Sequence, residues 1–269
     1  MTDLILTETP KPGILVIRIN RPDSLNAMDA DTIQALHSTL REVEHDSTVR
    51  AIILTGVGRA FCAGLDLNAY GTPPGATDGE GRPQAALRVQ QHIADLVDLF
   101  RSVRAPIIAA VNGAAAGGGM ALALMADIRI MSEDAKLHAA FIRRGLSNCD
   151  IGISYLLPRM VGFSRAAQIM LTGRTIDAAE AESIGLTASV ESPERLLDAA
   201  IETAEMIAAN SPFGVWMTKE VMWSNLEASS LRTAIDMENR TQILASMTKD
   251  HREAVHAFLE KRPAEYQNR

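Results

Sequence analysis

Three consecutive glycines, Gly117-Gly118-Gly119, follow an apolar run from Ile107 to Val111 and precede a small-residue stretch ending at Asp127. That order reads as a strand, a turn where a ligand can approach bare backbone, and a helix. The first-turn N–H groups of a helix have no partner inside it. They sit at the positive end of its dipole and suit an anion or the charge developing on a carbonyl oxygen. A tight strand-to-helix turn, glycine-rich for packing alone, would have the same composition. The segment by itself leaves both readings open.

Other groups able to move protons or attack carbon are few. Asp150 precedes the apolar run Ile151 to Leu157. It is either an acid–base carboxylate or the N-cap of a helix, where a side-chain oxygen stabilises by about 0.5–2 kcal/mol. Cys62 reads as a small buried hydrophobe, and Cys149 has no obvious paired base. His138 reads as a packed or surface residue, and His92 lies on a predicted helix beside a long loop. Arg143 and Arg144 are either partners for Asp150, lowering its pKa, or solvated charges. Tyr155 offers a hydroxyl but fits core packing.

The elements that must position these groups alternate. Strands are predicted at 14–20, 49–55, 106–111 and 128–131. Helices are predicted at 29–44, where Ile33, Leu36, Leu40 and Val43 share a face, at 85–103, and from the glycines to 125. Between them, 70–83 is rich in Gly and Pro and reads as a mobile surface loop. Alternation of this kind favours an α/β core. From about 201 the pattern is helical, with candidates at 202–210, 212–226, 230–246 and 250–260. The expected organisation is a core at 1–200 and a helical segment at 201–269 that packs on the core or on another subunit.

Composition narrows the class. Of 269 residues, 47% are apolar but only 4% aromatic, so small aliphatic side chains must fill the core. A formal charge of −7 with no long basic run argues against nucleic-acid binding. Two cysteines make neither a disulfide framework nor a zinc site. No signal-peptide pattern is evident, and no apolar run reaches the ~20 residues of a membrane helix. The expectation is a cytoplasmic protein without membrane insertion. No metal or redox cofactor is implied, because there is no ligand cluster or dinucleotide fingerprint.

Three segments together resemble the crotonase family, also called the enoyl-CoA hydratase/isomerase family. They are Phe61-Cys62-Ala63-Gly64-Leu65-Asp66-Leu67, the run from Ile108 through Gly119 to Asp127, and Leu171-Thr172-Gly173-Arg174 with Ala178 to Leu186. The resemblance spans about residues 12–262. It implies a spiral of ββα units followed by helices that mediate trimer contacts, with trimers often pairing into hexamers. It also implies an acyl-CoA substrate, whose thioester oxygen would be gripped by the backbone N–H groups of Leu65 and Gly118. Ala63, Asp66, Leu67 and Asn68 would line the coenzyme A path. Lys261, in Phe258-Leu259-Glu260-Lys261-Arg262, is either a contact for a CoA phosphate, often across a subunit boundary, or a solvated charge.

The chain departs from the family at the chemistry. The family's two hydratase glutamates correspond to Ala121 and Phe141, and neither side chain transfers a proton. Phe141, with Ala139, Ala140 and Ile142, would instead wall the acyl pocket. Counting back from Pro158, Asp150 falls where family dienoyl-CoA isomerases carry a catalytic aspartate and chlorobenzoyl-CoA dehalogenases a nucleophilic one. One extra residue lies between Gly145 and Asp150. The expected activity is therefore that of an enoyl-CoA hydratase-like lyase with Asp150 as acid/base. The alternatives are an enoyl- or dienoyl-CoA isomerase using Asp150, and a non-catalytic acyl-CoA-binding protein. Nothing in the sequence explains an aryl pocket for dehalogenation.

Overall fold

The computed structural model describes residues 3–67 and 70–269. Its strands are β1 (Ile5–Lys11), β2 (Ile14–Ile19), β3 (Ala51–Gly56), β4 (Ala60–Cys62), β5 (Ile107–Val111), β6 (Ala114–Ala116), β7 (Ile128–Ser132), β8 (Lys136–His138), β9 (Thr175–Asp177) and β10 (Ser189–Glu191). Its helices are α1 (Ala30–Val43), α2 (Arg82–Ala94), α3 (Leu96–Ser102), α4 (Gly118–Met125), α5 (Ile153–Val161), α6 (Phe163–Thr172), α7 (Ala178–Ser183), α8 (Leu196–Ala208), α9 (Pro212–Asn225), α10 (Leu231–Ser246) and α11 (Lys249–Glu260).

The strands form two sheets, ordered β1-β2-β3-β5-β7-β10 and β4-β6-β8-β9. Each turn of chain therefore lays one strand in the large sheet and the next in the small one: β3 then β4, β5 then β6, β7 then β8. This is the expected ββα spiral within an α/β fold. Every pair is parallel except β1–β2 and β8–β9. All residues of β3 and β5 are buried, as parallel strands covered on both faces require. One core fills the space between the sheets and α1, α3, α4 and α5. A second lies between the outer face of the large sheet and Leu196, Ala200 and Ala204 of α8.

Differences from the expected elements have local causes. β1 was not anticipated, because six of its seven residues are exposed and it contains Pro10; it is an edge strand, where proline is tolerated. The helix predicted at 85–103 is two helices that meet at Asp95. The small-sheet strands have three residues each, too few to show a period. The division expected at residue 200 falls inside α8. Beyond it, α9 is fastened to the core by Asp127, which accepts from Trp223 Nε1 at 2.7 Å, from Lys219 Nζ at 3.0 Å and from the Ile107 N–H at 2.7 Å. No helix among the described residues is long and apolar enough to cross a membrane.

Candidate active site

The turn between β5 and β6 is built on Asn112. Its side chain donates to the carbonyls of Gly56 and Gly58 and accepts from the Gly56 N–H at 3.1 Å, so two successive coils of the spiral are tied together. β4 and β6 then run side by side, with Cys62 opposite Ala115. Past their ends the backbones nearly touch. A Cβ added to Gly119 would stand 1.9 Å from the Cys62 carbonyl oxygen. Gly64 has φ +97°, and a Cβ there would meet the Ala116 oxygen at 2.6 Å and the Gly118 nitrogen at 3.4 Å. Only glycine permits this approach. The structure thus brings the Gly64–Leu65 turn onto the first turn of α4.

The Leu65 N–H has a defined aim. Met28 pairs with Leu65 as a parallel bridge, in which the Met28 N–H donates to Gly64 O at 2.7 Å and the Asp66 N–H to Met28 O at 2.9 Å. A trans peptide directs its N–H opposite to its C=O. Since Gly64 C=O points at Met28, the Leu65 N–H points away from it. The Gly118 N–H opens α4 and has no intrahelical acceptor. Among the described residues, neither N–H meets a protein acceptor.

Phe141 lies over this turn. It is 7% exposed, and its ring edge is 3.3 Å from where a Gly117 Cβ would stand. Ala121 is fully buried. Asp150 is half-buried, and its Oδ1 accepts from the side-chain amide of Gln90 on α2. It does not cap α5. Gly152 occupies that position without a side-chain bond, and Asp150 contributes only its carbonyl, to the Ile153 N–H at 2.9 Å. Between them Ile151, buried and β-branched, has φ +45°. Such a residue enters the left-handed region at a cost of about 1–3 kcal/mol, and strain of this kind gathers at functional sites.

Gln90 was not anticipated, since a glutamine on a polar helix face carries no signal until the fold sets it opposite Asp150. Arg143 and Arg144 lie on an exposed turn, and neither forms an ion pair among the described residues. Cys62 is buried, its thiol pushed up to about 12 by desolvation, which leaves it a packing residue. Cys149 is exposed. Tyr155 donates to Glu227 Oε1 at 3.1 Å, and His138 pairs with Thr175. Ala63 donates its N–H to Leu25 O at 3.0 Å. Asp66 is paired with Arg21, and Leu67 is 71% exposed. Asn68 lies outside the described residues. Lys261 terminates α11 as an exposed left-handed C-cap.

Comparison with known proteins agrees with this architecture. The enoyl-CoA hydratase/isomerase family model matches residues 9–269. A probable enoyl-CoA hydratase of Mycobacterium tuberculosis is 43% identical over 260 residues, covering 96% of this chain and 91% of that protein. The 1,2-epoxyphenylacetyl-CoA isomerase of Escherichia coli is 36% identical over 266 residues, 99% of each chain. A crystal structure of a probable enoyl-CoA hydratase/isomerase from Mycobacterium abscessus superposes with a TM-score of 0.93 at 40% identity, covering 99% of this chain and 100% of that one. A spiral of paired strands, a glycine turn seated on a helix start and full-length similarity to these proteins place the chain in the enoyl-CoA hydratase/isomerase family.

Proposed function

We propose that the protein moves a carbon–carbon double bond within an enoyl-CoA thioester, with Asp150 as its acid–base group. The thioester oxygen accepts from the Leu65 and Gly118 N–H groups. Asp150 removes a proton from a carbon of the acyl chain, and the electron pair of that C–H bond passes through the conjugated system to the thioester oxygen. Preset dipoles stabilise that enolate charge, each donor contributing about 3–4 kcal/mol. The enolate then collapses, a different carbon takes the proton from the Asp150 carboxyl, and the carboxylate is restored. No water is consumed, so one carboxylate suffices.

The observation that carries this reading is the single carboxylate. Asp150 is held by Gln90 of α2, the helix whose Ile93 packs against Gly118, while positions 121 and 141 are an alanine and a phenylalanine. The name of the Escherichia coli relative shows isomerisation, there of an epoxide, on a CoA thioester within this family. Hydration is the second reading, favoured by the hydratase names of the mycobacterial relatives. It would require Asp150 alone to handle both the water proton and the carbon-bound one.

Pure protein incubated with crotonyl-CoA, a 3-enoyl-CoA and a 2,5-dienoyl-CoA, followed by absorbance, separates the readings. Isomerisation predicts turnover of the second or third substrate that Asp150→Ala abolishes while acyl-CoA affinity is kept. Turnover of crotonyl-CoA alone makes the protein a hydratase. Binding without turnover, and without exchange of the α-proton in heavy water, makes it an acyl-CoA-binding protein.

The same reading makes the outer helices a subunit contact. α10 buries none of its residues; Leu231, Ile243 and Leu244 on it, and Met247 that caps it, stand in the open. A homotrimer, or a hexamer of two, would cover them. Light scattering on the purified protein gives the copy number, and a monodisperse monomer would refute the assignment.

A further inference from the structure

Arg21 lies behind the oxyanion turn, on the side away from the proposed thioester. Its Nη2 contacts Asp66 Oδ2 at 3.0 Å and Asp29 Oδ2 at 3.1 Å, and its Nη1 donates to the Ala27 carbonyl. Its own N–H donates to Asn26 Oδ1 at 2.9 Å. The guanidinium is thus fixed from three directions, with one arm directed at a single backbone oxygen.

That oxygen begins a relay. Ala27 C=O and Met28 N–H belong to one peptide plane. The Met28 N–H donates to Gly64 O at 2.7 Å. Gly64 C=O and Leu65 N–H belong to the next plane. Because each peptide is trans, every N–H in the series points onward from the C=O that receives the bond before it. The order is Arg21 guanidinium, Ala27–Met28 peptide, Gly64–Leu65 peptide, thioester oxygen. Hydrogen bonds in series polarise one another, and a charged donor at the head strengthens those that follow.

We propose that Arg21 is a positioning residue for the Leu65 amide, fixing its direction and raising its strength as a donor through two consecutive peptide groups. The proposal rests on the oxyanion role given to Leu65 above. Arg21 touches no reacting atom. Its two carboxylate partners hold the guanidinium in register and, through Asp66, tie it to the residue that follows Leu65. An oxyanion donor misaimed by a few tenths of an ångström still binds a ground-state carbonyl but loses much of its preference for the enolate. Loss of Arg21 should therefore lower kcat far more than it weakens binding.

The test is optical. A cinnamoyl thioester of CoA absorbs at longer wavelength as its carbonyl is polarised. Wild-type protein is expected to shift that band to the red on binding. Arg21→Met is expected to lose half or more of the shift and to lower kcat by about 10- to 100-fold, with a Kd within about threefold of wild type. Arg21→Lys, which keeps a charged donor, should fall between the two. If Arg21→Met does not fold, Arg21→Lys carries the test by the same shift and the same split of kcat from Kd. A full wild-type shift in the soluble variant overturns the proposal and leaves the oxyanion site standing. Absence of any shift in wild type overturns the oxyanion role of Leu65 itself.

Discussion

Gln90 and Asp150, sixty positions apart in sequence, meet through one side-chain hydrogen bond between α2 and the turn that enters α5. Gln90 donates to Oδ1 and so fixes the direction of the carboxylate. Gln90→Leu removes that contact and should lower kcat by about tenfold with little change in acyl-CoA Kd. Gln90→Glu, which sets a second carboxylate against the first, should lower kcat further. An unchanged kcat in both variants would show that Gln90 does not position the carboxylate.

The glycine turn separates folding from aim. In Gly119→Ala the new methyl meets the Cys62 carbonyl, which is held in β4 and cannot retreat. We expect a loss of about 1–3 kcal/mol or more in urea unfolding, from overpacking. Gly64→Ala sets a methyl against the Ala116 oxygen and strains a positive φ. It should cost less stability than Gly119→Ala but lower kcat by about 10²-fold, because the Leu65 N–H turns with it. Equal kcat losses for equal stability losses in the two variants would contradict this division.

Asp127 holds α9 against the ends of β5 and β7. Arg101 stacks on Trp223 beside it, 3.3 Å from the ring centroid. Burial draws the Lys219 ammonium pKa down, while the Asp127 charge opposes that shift. Asp127→Ala strands Lys219 in a dry site and should cost about 3–5 kcal/mol. The double change Asp127→Ala with Lys219→Met removes the stranded charge and should recover much of the loss. Chemical denaturation of the three proteins decides it, and additive losses would mean that the two residues do not act as a pair.

His37 on α1 stacks against His92 on α2, with ring centroids 5.3 Å apart. Its Nε2 pairs with the His92 carbonyl at 2.7 Å. Burial lowers the His37 pKa from its ordinary 6.5; the His92 carbonyl and Asp95 oppose the shift, and Arg41 adds to it. His92 is lowered too, by burial and then by His37. Unfolded chains therefore bind more protons than folded ones below the ordinary histidine pKa. The contribution is complete above that value and is lost as pH falls through it toward the folded pKa. We expect the melting temperature to drop between pH 7 and pH 5, and His37→Gln to flatten that drop. A His37→Gln profile parallel to wild type would exclude this pair as the cause.

Much of this fold is legible in the sequence. Apolar runs at β2, β3 and β5 mark buried strands, and the shared face of Ile33, Leu36 and Leu40, all three buried, marks α1. The glycine run disclosed a close backbone approach because only that composition allows it. What escaped were features that depend on partners distant in sequence. Gln90 is one polar residue among several on α2 until α5 is set beside it. Arg21 carried no signal, since its contacts are to backbone atoms and to carboxylates that a sequence does not place. Asp150 looked able to cap a helix, but the left-handed turn at Ile151 hands that position to Gly152.

The side-by-side course of β4 and β6 has a consequence for how this scaffold diversifies. Leu65 and Gly118 follow neighbouring strands, and past the strand ends the backbones close up on one another at Gly64 and Gly119. The relative placing of the two amides is therefore a property of main chain and glycine, with no side chain between them. If those amides hold the thioester as proposed, the grip is written in the backbone and the chemistry in side chains at 121, 141 and 150, so the two can vary separately.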